Sequence, residues 1–388
     1  MAYYIILFVI TTILAWFYSG NTKVSKPLFF SFCLSIGLFV GLADMLGGYD
    51  RYIYCEVFQD MHENVTKGVF FSEEFLYFFG KEPVYGLIND FIAFFTPNRY
   101  IFILVYTLFL YIVYAVNFYR YTKNPFFALL IFEGLMFFFT FTYLRQVLAA
   151  GVVWLAIPYV AQRSLKKYLL FIVLATLIHN SAAYMLLLYF IPRRKFEEKH
   201  IVLFMLALLV IGISGITKFV FSLSGDAVSN ARIASYAETA EIGFRIEYVI
   251  EAMLFLSILL LNYKRIDEDA LSLTLANVYL MFCGLLLFFC KSSDGGRIAW
   301  YCLLGIIVVL ERFCRPKSAV PLKSFITIMC FVLFYRILSA WGILLYPYKT
   351  FLPQESDKGT LLKKRMSMIM HTIMINYIIY DNCFYSYI

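Results

Sequence analysis

Long apolar stretches recur from one end of this chain to the other, at 28–42 and 201–223 for example, and nothing else constrains its fold as strongly. A helix needs about 20 mainly apolar residues to cross ~30 Å of hydrocarbon, where every backbone polar group must be satisfied internally. Composition points the same way. Of the 388 residues 62% are hydrophobic and only 15% charged, with 42 Phe and 31 Tyr. A soluble domain runs near a quarter charged, and the few charges here could not cover a core of that size. The expected class is an all-α polytopic membrane protein.

Reading apolar runs between polar breaks gives about ten spanning helices, near 3–18, 28–46, 101–118, 126–143, 146–161, 201–223, 247–262, 270–290, 298–311 and 322–346. Two stretches are ambiguous: Pro83–Phe95, and Tyr168–Ile191 with its polar centre His179-Asn180-Ser181. Positive charge arbitrates, because cytoplasmic loops carry the excess of Lys and Arg. With the N-terminus outside, Pro83–Phe95 not crossing and 168–191 a re-entrant hairpin, Lys23/Lys26, Arg120/Lys123, Arg163/Lys166/Lys167, Arg193/Arg194/Lys195, Lys264/Arg265 and Arg312/Arg315/Lys317 share the cytoplasmic side. Each half of that hairpin has about eleven residues, roughly 16 Å of helix, too short to cross. The expected organisation is one integral membrane domain over 1–350, with external loop segments at about 45–100 and 224–246. The tail 351–388 shifts in composition and is not placed by this reading. The expected location is a membrane, crossed many times.

The net charge of +8 lies in short loops between apolar runs, so it reads as topology and not as a nucleic-acid footprint. Cysteines such as Cys33, Cys283 and Cys330 sit within apolar runs without a CxxC pair or His partner, and neither a disulfide framework nor a metal site is expected. The first apolar run lacks a basic leader and a small-residue cleavage site and is read as a retained helix.

Polar residues that interrupt the apolar runs on the outer side are the candidates for function, since a charge in the bilayer costs at least ~2.5–3.5 kcal/mol. Gly47-Gly48-Tyr49-Asp50-Arg51-Tyr52 follows the second span and reads either as an interfacial turn or as part of a site. Arg145-Gln146 stands between two apolar runs with no room for a loop. An arginine there offers a fork of donors suited to a phosphate, or snorkels to lipid headgroups. His179-Asn180 tips the hairpin and reads as a general base or as a packing histidine. Arg297 follows the outer turn Ser293-Asp294-Gly295-Gly296, and Arg232 and Arg245 add positive charge in the 224–246 insertion. Several outward arginines suit an anionic, lipid-linked substrate. Glu133 and Arg336 lie midway along their spans and are expected to pair; the alternative places Arg336 in the same cavity.

No GxSxG, HExxH, Walker or GxGxxG pattern stands in a usable context. Energy for an outward-facing reaction would arrive with the substrate, and a polyprenyl-diphosphate-linked sugar carries its own leaving group. Arginines would stabilise the departing diphosphate while a base deprotonates the attacking hydroxyl.

The blocks Gly48-Tyr49-Asp50-Arg51-Tyr52-Ile53-Tyr54, Glu82-Pro83-Val84-Tyr85, Leu144-Arg145-Gln146-Val147-Leu148-Ala149 and Leu174-Ala175-Thr176-Leu177-Ile178-His179-Asn180-Ser181-Ala182, followed by Arg297-Ile298-Ala299-Trp300-Tyr301, resemble in order and spacing the EpsG family of Wzy-like bacterial surface-polysaccharide polymerases. The resemblance covers roughly residues 1–350. It implies an enzyme that joins undecaprenyl-diphosphate-linked oligosaccharide repeats at the outer face of the bacterial cytoplasmic membrane, without metal or cofactor. It implies Asp50, Arg145, His179 and Arg297 as the functional set. With them stand Arg51, Gln146, Arg232, Arg245 and Arg336 as candidate substrate contacts, and a chain-length regulator as a partner the pathway suggests. An O-antigen-ligase-like transferase, a lipid-linked-sugar flippase and a membrane acyltransferase remain as rival readings.

Overall fold

A computed structural model describes residues 1–19, 23–44, 47–70, 73–216, 244–292 and 295–352. Among them the chain is all-helical, with an isolated bridge between Ala43 and Thr350. The α-helices are α1 (Ala2–Phe17), α2 (Lys26–Gly41), α3 (Tyr49–Val65), α4 (Glu73–Phe79), α5 (Pro83–Phe95), α6 (Arg99–Tyr121), α7 (Pro125–Leu135), α8 (Leu144–Ala161), α9 (Leu165–Ile178), α10 (Glu198–Ser214), α11 (Ile246–Leu261), α12 (Ala270–Phe288), α13 (Leu303–Phe313), α14 (Val320–Ala340) and α15 (Gly342–Leu345). The 3-10 segments Phe137–Phe141, Asn180–Phe190 and Gly295–Cys302 matter for the site.

Among the described residues four segments are long and apolar enough to cross a membrane: α6, α8, α12 and Lys317–Ala340, which contains α14. The remaining expected spans correspond to shorter apolar helices or to helices continued by 3-10 turns. α7 ends at Leu135 and, past its cap Met136, runs on as Phe137–Phe141, and the span expected from 298 opens as the segment Gly295–Cys302 before α13. The last part of the 201–223 span, the tail, and most of the 224–246 insertion, Arg232 included, lie outside the described residues. The 45–100 insertion differs in kind from a loop. It forms α3, α4 and α5, because Pro83 sets the first turn of α5 and Tyr54, Phe75, Phe79 and Tyr85 bury one aromatic layer between the three helices.

Helix starts follow local chemistry. Ser25 caps α2 ahead of Pro27, Asn98 caps α6, Asn124 caps α7 ahead of Pro125, and the carboxylate of Asp269 takes the amides of Leu271 and Ser272 at the start of α12. Packing follows small residues and interhelical hydrogen bonds, as expected where water supplies no driving force. Gly37 and Gly41 put α2 against α6 so closely that a Cβ at Gly41 would meet Thr107 Oγ1 at 2.4 Å. Along the other side of α6, Tyr106, Tyr114, Asn117 and Tyr121 donate to the carbonyls of Leu144, Val147, Gly151 and Trp154 of α8, at 3.4, 2.8, 3.0 and 2.8 Å.

The basic loops gather at one end of the bundle. Asn124 donates its side-chain Nδ2 to Ala15 O at 2.8 Å and its backbone N–H to Glu311 Oε1 at 3.0 Å, while Arg265 donates to Phe313 O at 2.5 Å. Asn277 donates to Pro192 O at 2.7 Å and Phe196 N to the Tyr263 hydroxyl at 2.9 Å. At the opposite end the segment after α14 folds back over α1 and α2. Tyr4 donates to Leu345 O at 3.0 Å, Gly47 N to Leu344 O at 3.0 Å, and Tyr348 to Phe39 O at 2.7 Å. Gly47 and Gly48 have φ of 115° and 97°, which an L side chain rarely adopts, and this lets the chain turn from α2 into α3 under that strap.

The expected Glu133–Arg336 pair is not formed. Glu133 accepts from Thr11 Oγ1 at 2.8 Å, whereas Arg336 is exposed on α14 and the carboxylate whose charge it acts on is Glu251 of α11. Equal depth along two helices did not bring the two side chains to facing sides.

Candidate active site

The site is organised by a residue singled out above only as part of a motif. Glu82 stands at the N-cap position of α5 but makes no cap bond; its carboxylate turns away from its own helix. One oxygen takes the guanidinium Nη1 of Arg145. The other takes His179 Nδ1 at 2.6 Å and the Asn180 amide at 3.1 Å. Three distant parts of the chain therefore converge on one carboxylate.

Each partner is delivered by an interruption in helical structure. Arg145 occupies the first turn of α8, where a positive charge opposes the helix dipole. Glu82 offsets that cost. His179 ends α9 in extended conformation (φ −152°, ψ 119°), and the chain returns as the 3-10 segment Asn180–Phe190, packed beside α9 and α8. The foot of this hairpin is fixed to the end of α8. Arg163 donates to the carbonyls of Tyr189 and, at 2.8 Å, Ile191, and Arg193 donates to Ala161 O at 2.7 Å. Since α8 runs from Arg145 down to that foot and α9 returns, the tip His179-Asn180 meets Arg145 at the end remote from the basic loops.

Aromatic rings enclose Arg145. Its guanidinium carbon lies 4.2 Å from the Phe79 ring centre, 5.4 Å from Tyr54 and 5.7 Å from Tyr85, and Nε reaches the Tyr54 hydroxyl at 3.4 Å. Side-chain exposure is 5% for Glu82, 13% for Arg145 and 23% for His179, so the carboxylate is sealed while the histidine opens to the outside of the cluster. Burial alone would raise the Glu82 pKa. The charges of Arg145 and His179 and the Asn180 amide outweigh it and hold the carboxyl down at about 2. Glu82 is then an anion at any pH a cell meets. With Nδ1 donating to it, His179 leaves Nε2 with its lone pair, and Nε2 and Arg145 Nη2 have no protein partner among the described residues.

Arg297 borders this group from the segment Gly295–Cys302. Its guanidinium lies over the Tyr143 ring at 4.6 Å, its carbonyl takes Gln146 Nε2 at 3.1 Å, and its charge acts on His179 together with that of Arg145. Ser181 and Tyr301 join hydroxyls at 2.7 Å, tying the hairpin to the same segment.

Of the residues proposed from sequence, the structure groups Arg145, His179, Gln146 and Arg297. Asp50 lies in the first turn of α3, where its charge acts on the Tyr54 hydroxyl at the edge of the aromatic enclosure. Arg51 is fully buried and donates to Val40 O at 3.2 Å and Ala43 O at 3.0 Å, the carbonyls that end α2. Arg245 precedes α11, with its amide on Cys290 O at 2.7 Å and its guanidinium 6.0 Å from the Tyr248 ring centre. Arg336 is exposed on α14. Glu82 was missed as a site residue although its motif was noted. The signal was an acidic residue directly before a helix-starting proline on the outer side, with no basic neighbour on its own helix to pair with. Among the described residues no group of His, Cys, Asp and Glu has the arrangement of a metal site.

An all-helical membrane protein whose polar cluster of arginines, a histidine and a carboxylate sits at one end of the bundle is the class these features define. The EpsG family matches residues 26–350, and the chain belongs to that family, the Wzy-like polysaccharide polymerases. No curated protein and no solved structure matches the chain.

Proposed function

We propose that this chain, whose family suggests a membrane polymerase of polysaccharide biosynthesis working on lipid-linked sugar, joins undecaprenyl-diphosphate-linked oligosaccharide repeats at the outer face of the bacterial cytoplasmic membrane. The observation that carries this reading is the Glu82–His179 pair, with Nε2 open beside two arginines.

In this reading Arg145 Nη2 and Arg297 hold the diphosphate of the growing chain, as guanidinium forks do. The acceptor hydroxyl on the non-reducing sugar of a new repeat approaches His179 Nε2, which takes its proton as the oxygen bonds the anomeric carbon. The bond from that carbon to the diphosphate breaks, and undecaprenyl diphosphate leaves with the electron pair, its charge met by the arginines. Glu82 keeps the imidazole oriented and stabilises the imidazolium that forms. Asp50 and Gln146 complete the wall on the sugar side.

The test is a gel profile of surface polysaccharide from a deletion strain and its complemented counterpart. Collapse of the ladder to a single repeat, restored by the wild-type gene but not by Arg145→Ala at equal protein level, is the expected result. Loss of the anchored single repeat with build-up of longer lipid-linked chains identifies a ligase instead. An unchanged ladder overturns the polymerase reading.

A further inference from the structure

Beside Arg297, four half-buried rings come together from three separate parts of the chain: Phe139, Tyr143, Trp300 and Trp341. Phe139 stacks on Trp300 with ring centres 4.5 Å apart and planes at 24°, and Trp341 meets Phe139 edge-on at 5.4 Å. Tyr143 closes the group at 5.6 Å from Trp300 and carries the Arg297 guanidinium on its face. The other tryptophans are committed: Trp16 donates to Thr327 Oγ1 at 3.2 Å and Trp154 to Tyr301 O at 3.0 Å. The indole N–H groups of Trp300 and Trp341 have no partner among the described residues, and neither is sealed from solvent.

Tryptophans that merely anchor a protein at the membrane surface set their rings at the headgroup level. These rings instead pack on one another into a shelf, with a cation at one edge and two unused donors. A prenyl chain would gain nothing from the donors. A pyranose ring uses both features, its C–H face lying on an aromatic plane and its hydroxyls accepting from N–H groups. We propose that this shelf binds a sugar ring of the lipid-linked saccharide, next to the diphosphate held at Arg297. The proposal rests on the diphosphate role given to Arg297 above.

The test measures binding, independent of turnover. The repeat-unit oligosaccharide is released by mild acid from the lipid-linked intermediate of the deletion strain. It and farnesyl diphosphate are titrated calorimetrically into the full-length protein in detergent. Trp300→Leu keeps an apolar side chain but removes ring and donor. It should weaken oligosaccharide binding at least ~10-fold, while farnesyl diphosphate binding stays within about twofold, and Trp300→Phe should fall between. Trp341→Leu provides a second variant should Trp300→Leu not fold. Loss of farnesyl diphosphate binding with the oligosaccharide unaffected would make the shelf a prenyl groove and overturn the proposal. So would unchanged binding of both probes, or no saturable binding of the oligosaccharide to the wild type. Accumulation of the intermediate in the deletion strain is decided separately, by the gel profile, so failure of the polymerase reading and failure of the shelf are told apart.

Discussion

At the residue scale the site depends on Glu82 satisfying two partners at once. A buried ion pair is costly to break from one side, because the remaining charge keeps its desolvation without its counter-charge, about 3–5 kcal/mol in typical cases. Glu82→Gln keeps the shape, can still accept one hydrogen bond, and removes the charge that holds Arg145 and steadies an imidazolium. We expect repeat-unit joining to fall on the order of 10²-fold or more with protein level unchanged, read as loss of the ladder in complementation. A full ladder from a well-expressed Glu82→Gln strain would remove the carboxylate from the mechanism. Arg145→Lys should fail nearly as badly as Arg145→Ala. An ammonium cannot contact Glu82, Tyr54 and a diphosphate together from within the Phe79–Tyr54–Tyr85 enclosure.

At the element scale two devices hold the cluster in place. The first is the close approach of α2 to α6, which sets the end of α2 and the turn into α3. Gly41→Leu would force its side chain into Thr107 and the backbone of Leu104, where even a Cβ lies 3.0 Å from the Leu104 Cα. Overpacking of this kind costs about 1–3 kcal/mol, and the melting temperature in detergent should drop accordingly. A variant as stable as wild type would show that the two helices can separate freely. The second device is the clamped hairpin foot. Arg163→Ala removes the donors to Tyr189 and Ile191, so the tip should lose its register against Glu82. Activity should fall while melting behaviour changes little, since the aromatic and apolar packing of α9 on α8 remains. Equal loss of both would assign Arg163 a purely structural role.

At the scale of the whole molecule, the Glu82–Arg145–His179 cluster and the basic loops occupy opposite ends of one bundle. With the basic end cytoplasmic, a cysteine introduced at exposed Lys81 should react with an impermeant reagent added outside intact cells, and one at exposed Lys166 only after the membrane is opened. The seven cysteines among the described residues are all buried, and the labelling is done with the eighth, Cys383, replaced by serine. The reverse labelling pattern would place the site in the cytoplasm and rule out an outward-facing polymerase.

The sequence alone determined the class of fold and most helix positions, and it singled out Arg145, His179 and Arg297, which the structure brings together. Those properties are written locally: apolar runs of helical length, caps and prolines at their ends, and charges where a bilayer penalises them. What it could not determine was pairing. Glu82 lies 63 residues from Arg145 and 97 from His179 in sequence, and no spacing rule connects positions that meet only when three helical elements pack. The same limit explains the Glu133–Arg336 expectation. Depth along a helix follows from residue number, but the face a side chain presents to a particular neighbour is decided by how the helices are arranged around it. The three-helix insertion that carries Glu82 likewise has too little apolar length to announce itself as packed structure. It becomes ordered against the aromatic layer its own helices supply, and only the folded bundle shows that this layer encloses Arg145.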